Sequence, residues 1–342
     1  VSLDGRYLAI IDAGEPPPGA RLHGYAMTLT VLDLQIGGET IVESGPLAAV
    51  LGWSATGQLI YVRPNPDGGS DGGDSTYLLT AYEPAAGVAK LLSPDPVRLT
   101  SFGPNVWSVD HSALVWMRAG QPDRTQGPLV RYTFGPQPEV DRLGEWGGQP
   151  ALSADGGQVA YMTTVTGGPQ TGMSEIKVLD LTTARMRHLA FSSNGAQASP
   201  ATFSVPQWSP DGRQLAWSAS PAGQVQTVAA SGGAVRIWTT GGQPIALKGF
   251  SPDGRYLLAE AGGGPDPLAQ GVQNYLSLKQ FWLFDELAET VSPPQSFWAY
   301  STLWLPGAHR LLAAGPAGVT SFDPATGEYV WLGDWQRCQL RR

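Results

Sequence analysis

Seven short segments of the chain share one order of apolar and polar positions: a large apolar residue, a polar turn, and then an alternation of apolar residues. The clearest copies read Trp-Ser-Pro-Asp-Gly-Arg-Gln-Leu-Ala-Trp at 208–217 and Phe-Ser-Pro-Asp-Gly-Arg-Tyr-Leu-Leu-Ala at 250–259. Pro, Asp and Gly favour tight turns, and a period of two is typical of a strand with one buried face. Each copy therefore predicts a β-hairpin.

The first position of each copy forms a column along the chain. The spacings within it are 52, 54, 45, 56, 42 and 54 residues, a mean of about fifty. Insertions in the loops between repeats explain the irregular period. The chain is therefore predicted to consist of seven structural repeats. The column comprises Val1, Trp53, Trp107, Leu152, Trp208, Phe250 and Trp304.

A second hairpin with an acidic turn follows the first within the repeat. It is visible at 29–42 around Asp33, 176–189 around Asp180, 281–291 around Asp285 and 319–332 around Asp323. Four short strands in forty to fifty residues are typical of a β-propeller blade. We therefore predict an all-β fold, a seven-bladed β-propeller of four-stranded antiparallel blades, as a single domain over residues 1–342. The predicted blades begin near residues 1, 47, 101, 146, 202, 244 and 298.

The Trp-Ser-Pro-Asp-Gly-x-x-Leu-Ala unit resembles the TolB-like (WD-like) propeller repeat, which also builds the propellers of prolyl-oligopeptidase-like proteins. The resemblance covers essentially the whole chain. It implies that the Trp, Ser and Asp-Gly positions shape the blades, and it says little about function, because one fold hosts many functions. It also implies an extracytoplasmic location, whether periplasmic, extracellular or membrane-anchored, as in TolB-like proteins of the cell envelope.

The first predicted blade lacks its innermost strand, because Val1 already stands at the end of that strand. Propellers of this kind often close by borrowing a strand from the other terminus, and residues 336–342 follow the last outer strand. Either these residues supply the strand, or an upstream strand or targeting segment has been removed. We expect closure by residues 336–342.

Composition excludes several classes of protein. With 21 Lys and Arg against 29 Asp and Glu, the net charge is −8 and no basic cluster stands out, so we expect no nucleic-acid partner. Cys338 is the single cysteine, which excludes an internal disulfide framework and a cysteine-based zinc site. No run of eighteen apolar residues occurs, so we predict no transmembrane segment in this chain.

Long loops are predicted to gather on one face of the propeller, opposite the tight Pro-Asp-Gly and Asp turns. Inserted loops on one face of a repeat protein often form its binding surface, although loop drift without function is the alternative. The charged loop residues Arg21, His23, Asp123 and Arg124 are candidate binding residues. The long loops span 13–24, 64–74, 120–127, 164–174 and 261–279.

The last position of the second strand is charged only in the first three blades, where it is Asp12, Arg63 and Arg118. Turn formation and core packing do not require charge at this position. Two interpretations stay open: an ion pair between blades, or part of a clamp for an anionic ligand. The other four blades carry Thr163, Ala219, Ala261 and Gly315 there.

Catalytic and metal-binding signals are weak. Asp67, Asp71 and Asp74 could hold calcium through flexible oxygen ligands, but their spacing is not that of an EF-hand and a solvated loop is the alternative. Ser70 matches Gly-x-Ser-x-Gly only formally, since no strand precedes it and no helix follows it. No two histidines have metal-ligand spacing. We therefore predict no catalytic residue and no cofactor apart from this calcium candidate.

These observations favour a noncatalytic scaffold that binds a protein partner through the loop-rich face, at the cell envelope as the TolB resemblance implies. The alternative is a propeller enzyme, a glycan hydrolase or lyase, with its site in the central channel. A third interpretation is the propeller of a prolyl-oligopeptidase-like chain, for which no α/β hydrolase segment is present.

Overall fold

Strands joined by tight turns make up the described part of the chain. No helix in these segments is long and apolar enough to cross a membrane. The structure is a computed structural model, and it describes residues 1–13, 27–45, 49–66, 76–97, 106–118, 127–164, 174–191, 202–203, 205–220, 223–240, 245–261, 279–292, 298–299, 301–305, 310–315 and 318–333.

The chain divides into two compact units, Val1–Val159 and Ala160–Arg342. In the first unit the strands follow the orders β1-β2-β3, β4-β5-β6-β7 and β10-β9-β8, and every neighbour for which the register is defined runs antiparallel. Its strands are β1 (Tyr7–Ala13), β2 (Met27–Asp33), β3 (Gly38–Gly45), β4 (Ala49–Trp53), β5 (Leu59–Pro64), β6 (Tyr77–Glu83), β7 (Val88–Leu91), β8 (Ala113–Met117), β9 (Gly127–Thr133) and β10 (Glu139–Leu152).

The second unit repeats this arrangement. Its strands follow the orders β13-β12-β11, β14-β16-β17-β18, β19-β20-β21-β22 and β24-β25-β26-β27, with β15 also on β16 and β23 also on β21. They are β11 (Gln158–Thr164), inside which the unit begins, β12 (Ser174–Asp180), β13 (Met186–Phe191), β14 (Thr202–Phe203), β15 (Gln207–Trp208), β16 (Gln214–Ser220), β17 (Gln224–Ala229), β18 (Arg236–Thr239), β19 (Ile245–Phe250), β20 (Tyr256–Ala261), β21 (Lys279–Asp285), β22 (Thr290–Val291), β23 (Trp298–Ala299), β24 (Ser301–Trp304), β25 (Leu311–Gly315), β26 (Gly318–Asp323) and β27 (Glu328–Gly333).

Within the sheets, consecutive strands are hydrogen-bonded neighbours, which is the meander of a propeller blade. The all-β antiparallel prediction is confirmed. The hairpins predicted around Asp33, Asp180, Asp285 and Asp323 are present as β2–β3, β12–β13, β21–β22 and β26–β27. The count of seven blades, the single domain and closure by residues 336–342 stay predictions, and residues 334–342 lie outside the described residues.

The Ser and Asp of the repeat form the turn itself. In the copy at 208–217, Ser209 Oγ donates to Asp211 Oδ1 over 2.6 Å and accepts the N–H of Gln214 over 2.9 Å. Ser209 is buried, so these bonds satisfy groups that water cannot reach. The same serine–aspartate bond recurs at Ser2–Asp4, Ser108–Asp110, Ser153–Asp155 and Ser251–Asp253, with Ser54–Thr56 in the second copy.

The glycine of the turn is required by its backbone angle. Gly212 has a φ of 68° and Gly254 a φ of 74°, in the left-handed region that residues with a Cβ rarely adopt. In the third copy His111 occupies this position with a φ of 56°. Its ring donates from Nδ1 to the carbonyl oxygen of Trp53 over 2.6 Å and stacks on Trp107. These two contacts offset the strain of a non-glycine residue there.

Gly212→Val should lower the free energy of unfolding by about 1–3 kcal/mol, because a β-branched residue resists this φ. No atom lies within 4 Å of the Cβ that a side chain would add, so the cost comes from the backbone rather than from a clash. Thermal melting followed by circular dichroism measures the change. Gly135→Val is the matched control: its Cβ also meets nothing within 4 Å and its φ is not positive. Equal melting of both variants would contradict the turn assignment.

Apolar side chains from both faces of the strands pack between neighbouring sheets. In β5, Leu59 and Tyr61 join the cluster of Tyr7 and Leu29, whereas Ile60 and Val62 join the cluster of Leu114 and Trp116. A strand buried on both faces reads as a continuous apolar run. Trp53, Trp116, Trp208 and Trp217 are buried, whereas Trp107 and Trp304 are half-buried.

Candidate binding site at the loop ends of the first-unit strands

In the first unit, one end of each sheet carries the tight turns, and the strands lead into the predicted long loops at the other end. We call these the turn end and the loop end. β1 runs from the Asp4-Gly5 turn toward the loop end, and β2 returns to the turn at Asp33, so both turns lie at one end of the sheet. Asp12 lies near the end of β1, Arg63 lies near the end of β5, and Arg118 directly follows β8. These three predicted residues therefore stand at the opposite end of their sheets, the loop end.

A continuous row of paired backbone residues joins the two predicted arginine positions. Pro64 pairs with Tyr77, Tyr77 pairs with Val97, and Val97 pairs with Arg118. Neighbouring strands lie about 4.8 Å apart, so the backbones at Pro64 and Arg118 are separated by roughly 15 Å. The row therefore ends at Arg118 on one side and at Pro64, the neighbour of Arg63, on the other.

Val97 makes this row possible. Its N–H and C=O both bond Tyr77, each over 2.8 Å, and its other edge faces Arg118. The side chain is fully buried in the apolar cluster that contains Val106 and Trp116. A single buried valine after Ser-Pro-Asp-Pro thus links the second sheet to the third, which strand periodicity could not reveal.

Arg118 is held by a carboxylate from the same connection. Its Nη2 donates to Asp95 Oδ1 over 2.8 Å, and Arg142 Nη2 lies 3.9 Å from Asp95 Oδ2. The Arg142 side chain is 73% exposed, so Asp95 compensates two guanidinium groups of which one faces solvent. The local charge of this group of three is positive.

Arg63 has a weaker partner. Its Nη1 lies 3.8 Å from Glu43 Oε2, and the Tyr61 hydroxyl donates to the same oxygen over 3.4 Å. Burial, followed by the negative charge of Glu43, raises the pKa of Tyr61 to about 12, so the phenol stays protonated. Arg63 Nε is buried and has no hydrogen-bond partner among the described residues. With 41% of its side chain exposed, Arg63 keeps donors available for a ligand.

The other predicted site residues are not settled by the structure. Asp12 pairs through its backbone with Thr28 at the end of β1, but its side chain is not described. The ion-pair and anion-clamp interpretations of Asp12 therefore both stay open, although the carboxylate that faces Arg63 is Glu43. The remaining candidates lie outside the described residues: Arg21, His23, Asp67, Asp71, Asp74, Asp123 and Arg124.

Sequence reasoning missed Glu43, Asp95 and Arg142. Glu43 is a polar residue of an outer strand, and Asp95 stands between two prolines in a blade connection, so neither position suggested a contact with an arginine. The one signal in the sequence was that the last position of the second strand is charged in the first three repeats. A column marks one end of each sheet, but it does not show which carboxylate lies opposite.

Two arginines at the turn end have close internal partners. Arg6 donates from Nε and Nη2 to Asp33 Oδ2 over 3.0 and 2.8 Å, and Arg255 makes the equivalent contacts with Asp285. The Arg6 guanidinium holds the pKa of the Asp33 carboxyl below its ordinary value. Each pair ties two turns of one sheet together. The charges of Arg6 and Arg255 are therefore explained by the fold, in contrast to those of Arg63 and Arg142.

The described histidines do not form a metal site. His111 bonds a backbone carbonyl, and His188 on the outer strand β13 contacts the buried carboxylate of Glu175. Lys177 Nζ lies 3.5 Å from the other oxygen of Glu175. Within the described segments, no group of three or more His, Cys, Asp or Glu residues could hold a metal ion.

No protein-family model matches the sequence, and no curated protein is significantly similar to it. Among solved structures, an oligogalacturonate lyase in complex with manganese has 12% identity and a TM-score of 0.55, and the match covers 95% of this chain and 85% of that one. TolB from Acinetobacter baumannii has 15% identity and a TM-score of 0.45, with coverage of 96% and 81%. The Cps50 (Swd1) β-propeller domain of Myceliophteria thermophila has 12% identity and a TM-score of 0.47, with coverage of 88% and 93%.

Identities this low reveal likeness of fold alone. The chain has an all-β fold, and the solved structures similar to it include a TolB protein and a β-propeller domain.

Proposed function

We propose that this TolB-like propeller is a noncatalytic, seven-bladed scaffold that binds a protein partner through its loop-rich face, in an extracytoplasmic location at the cell envelope. The observation that carries the proposal is Arg63, whose exposed guanidinium has only a distant carboxylate partner and a buried Nε with no partner among the described residues. Guanidinium donors that the described residues leave without a hydrogen-bond partner are available for recognition.

The spacing of the arginines suggests the chemistry of the partner. The row places the backbone of Pro64, next to Arg63, roughly 15 Å from that of Arg118, which suits an extended acidic segment better than one small anion. Arg142 adds an exposed positive charge beside Arg118. Planar guanidinium groups match carboxylates with two parallel hydrogen bonds, so acidic side chains spaced along an extended peptide fit this edge.

A fluorescent oligoglutamate peptide is the probe that tests the proposed recognition. The double variant Arg63→Ala/Arg118→Ala should weaken binding, measured by fluorescence anisotropy, at least about tenfold, because it removes two charged hydrogen-bonding groups. The free energy of unfolding should change by less than about 1 kcal/mol, because solvent-accessible ion pairs contribute little to stability. Binding by the wild-type chain should also weaken with added salt, since charges are screened over about 8 Å at physiological ionic strength.

Arg213→Ala is the matched control, because Arg213 lies at the turn end and 86% of its side chain is exposed. It should leave peptide binding unchanged. Equal loss in the control and in the double variant would mean that only net charge matters. That result, or a wild-type chain that does not bind the peptide, would overturn an acidic partner segment at this edge.

A glycan-acting enzyme is the second candidate, favoured by the likeness to an oligogalacturonate lyase. Turnover of oligogalacturonate with and without added manganese, followed by the absorbance of the unsaturated product, tests it. Turnover that responds to manganese would support a lyase and contradict the noncatalytic proposal.

A further inference from the structure

The turn between β21 and β22 differs from the other three aspartate turns at two positions. The residue directly after the aspartate is Glu286, and the fourth residue after it is Glu289, which has a φ of 56°. A carboxylate thus stands where the other turns are uncharged, and a side chain occupies a left-handed backbone position that favours glycine. The other turns carry Leu34, Leu181 and Pro324 at the first position and Gly37, Ala184 and Gly327 at the second.

Both glutamates reach one arginine of the neighbouring sheet. Arg236, on β18, places Nη2 2.7 Å from Glu289 Oε1 and Nη1 3.4 Å from Glu286 Oε2. The same guanidinium lies over the ring of Trp238, 5.5 Å from its centroid, and that ring packs against Phe284 of β21. The sheet of β14–β18 and the sheet of β19–β23 therefore meet here through one guanidinium and two carboxylates.

The two carboxylates have different surroundings. The Glu289 side chain is 66% exposed, whereas that of Glu286 is 8% exposed. Oε1 of Glu286 is buried and has no hydrogen-bond partner among the described residues. A buried carboxylate oxygen without a donor opposes ionisation. Burial accordingly raises the pKa of Glu286, and the attraction of Arg236 offsets this only in part.

Other groups around the turn leave this balance in place. Asp285, in the same turn, has its own cation, because Arg255 Nη2 lies 2.8 Å from its Oδ2. From the neighbouring sheet, the neutral side chains Thr227 and Trp238 face the buried carboxyl group together with Arg236. When both glutamates are ionised, the two of them share one guanidinium, and the net charge of the three groups is negative.

We propose that Arg236, Glu286 and Glu289 form a proton-sensitive clasp between these two sheets, which holds most firmly in mild acid and loosens when Glu286 ionises. With Glu286 protonated, Arg236 and Glu289 remain as a balanced ion pair. With Glu286 ionised, a buried oxygen is charged and lacks a donor. Because burial raises the pKa, the stabilising contribution is fully present below the ordinary pKa of a glutamate and is lost as pH rises through the raised value.

Urea unfolding of the full chain at a series of pH values tests the clasp. Glu286→Gln imitates the protonated side chain, so its urea midpoint should exceed that of wild type near about pH 8, and the difference should vanish toward about pH 4. Arg236→Met should widen the loss that wild type suffers as pH rises, because both carboxylates then lack the cation. Glu260→Gln is the matched control in the same sheet, since Glu260 is 15% exposed and has Lys248 Nζ at 3.2 Å. It should not gain stability near about pH 8.

Hydrogen exchange of the segment 285–290, compared between wild type and Glu286→Gln at one pH at a time, reports the loosening directly. The Glu286 N–H bonds the Arg255 carbonyl oxygen over 2.9 Å, so opening of the turn exposes it. Exchange should be slower in the variant near about pH 8 and equal in the two chains near about pH 5. A Gln variant that is less stable than wild type at every pH, or a difference that does not change with pH, overturns the proposal. Equal exchange in the two chains near the upper pH also overturns it, because the sheets then stay closed when Glu286 ionises.

Discussion

Trp208→Ala should lower the free energy of unfolding by about 3–5 kcal/mol, the cost typical of truncating a large buried aromatic residue. Trp208 is 4% exposed and pairs with Leu215 of β16 at the centre of the repeat motif. Strands with fixed register cannot collapse into the space that the ring leaves, so the cavity persists. Urea unfolding followed by tryptophan fluorescence and circular dichroism measures the loss.

Trp331→Ala is the matched control, since the same ring is removed from a side chain that is 54% exposed. It should cost less than about 1.5 kcal/mol. If Trp331→Ala cost more than Trp208→Ala, the first position of the repeat would not be a core position.

Removing both side chains that contact the Glu175 carboxylate should also cost about 3–5 kcal/mol, because a buried carboxylate is then left without these partners. The Glu175 side chain is 4% exposed, with His188 Nδ1 on one oxygen and Lys177 Nζ 3.5 Å from the other. Lys177→Met and His188→Leu preserve much of the side-chain volume. Each alone should cost about 1 kcal/mol, so the double variant should cost more than the sum.

Urea unfolding of the four chains of this double-mutant cycle provides the coupling energy. Arg213→Ala, which removes an exposed pair, should change stability by less than about 1 kcal/mol. Small, additive costs would mean that water reaches Glu175.

The loop-end site was only partly predictable. The strand-end column identified Arg63 and Arg118, because strands of one repeat end at the same side of their sheets. It could not identify Glu43 or Asp95, which come from an outer strand and a blade connection outside the column. Their contacts depend on how one sheet packs against the next. Sequence periodicity describes the faces of a strand and not its neighbours in the adjacent sheet.

The sequence by itself determined the strands, their turns and the buried faces. A residue such as Gly212 is required by a local backbone angle, and the bond between Ser209 and Asp211 spans only two residues, so both can be read from the motif. Only the tertiary structure decided that Val97 links two sheets and that Glu43 faces Arg63. It also decided that the apolar side chains at 329–332 in β27 are exposed. These features join residues 20 or more positions apart, or depend on what covers an edge. Contacts of that kind are set by packing between sheets rather than by local backbone preference.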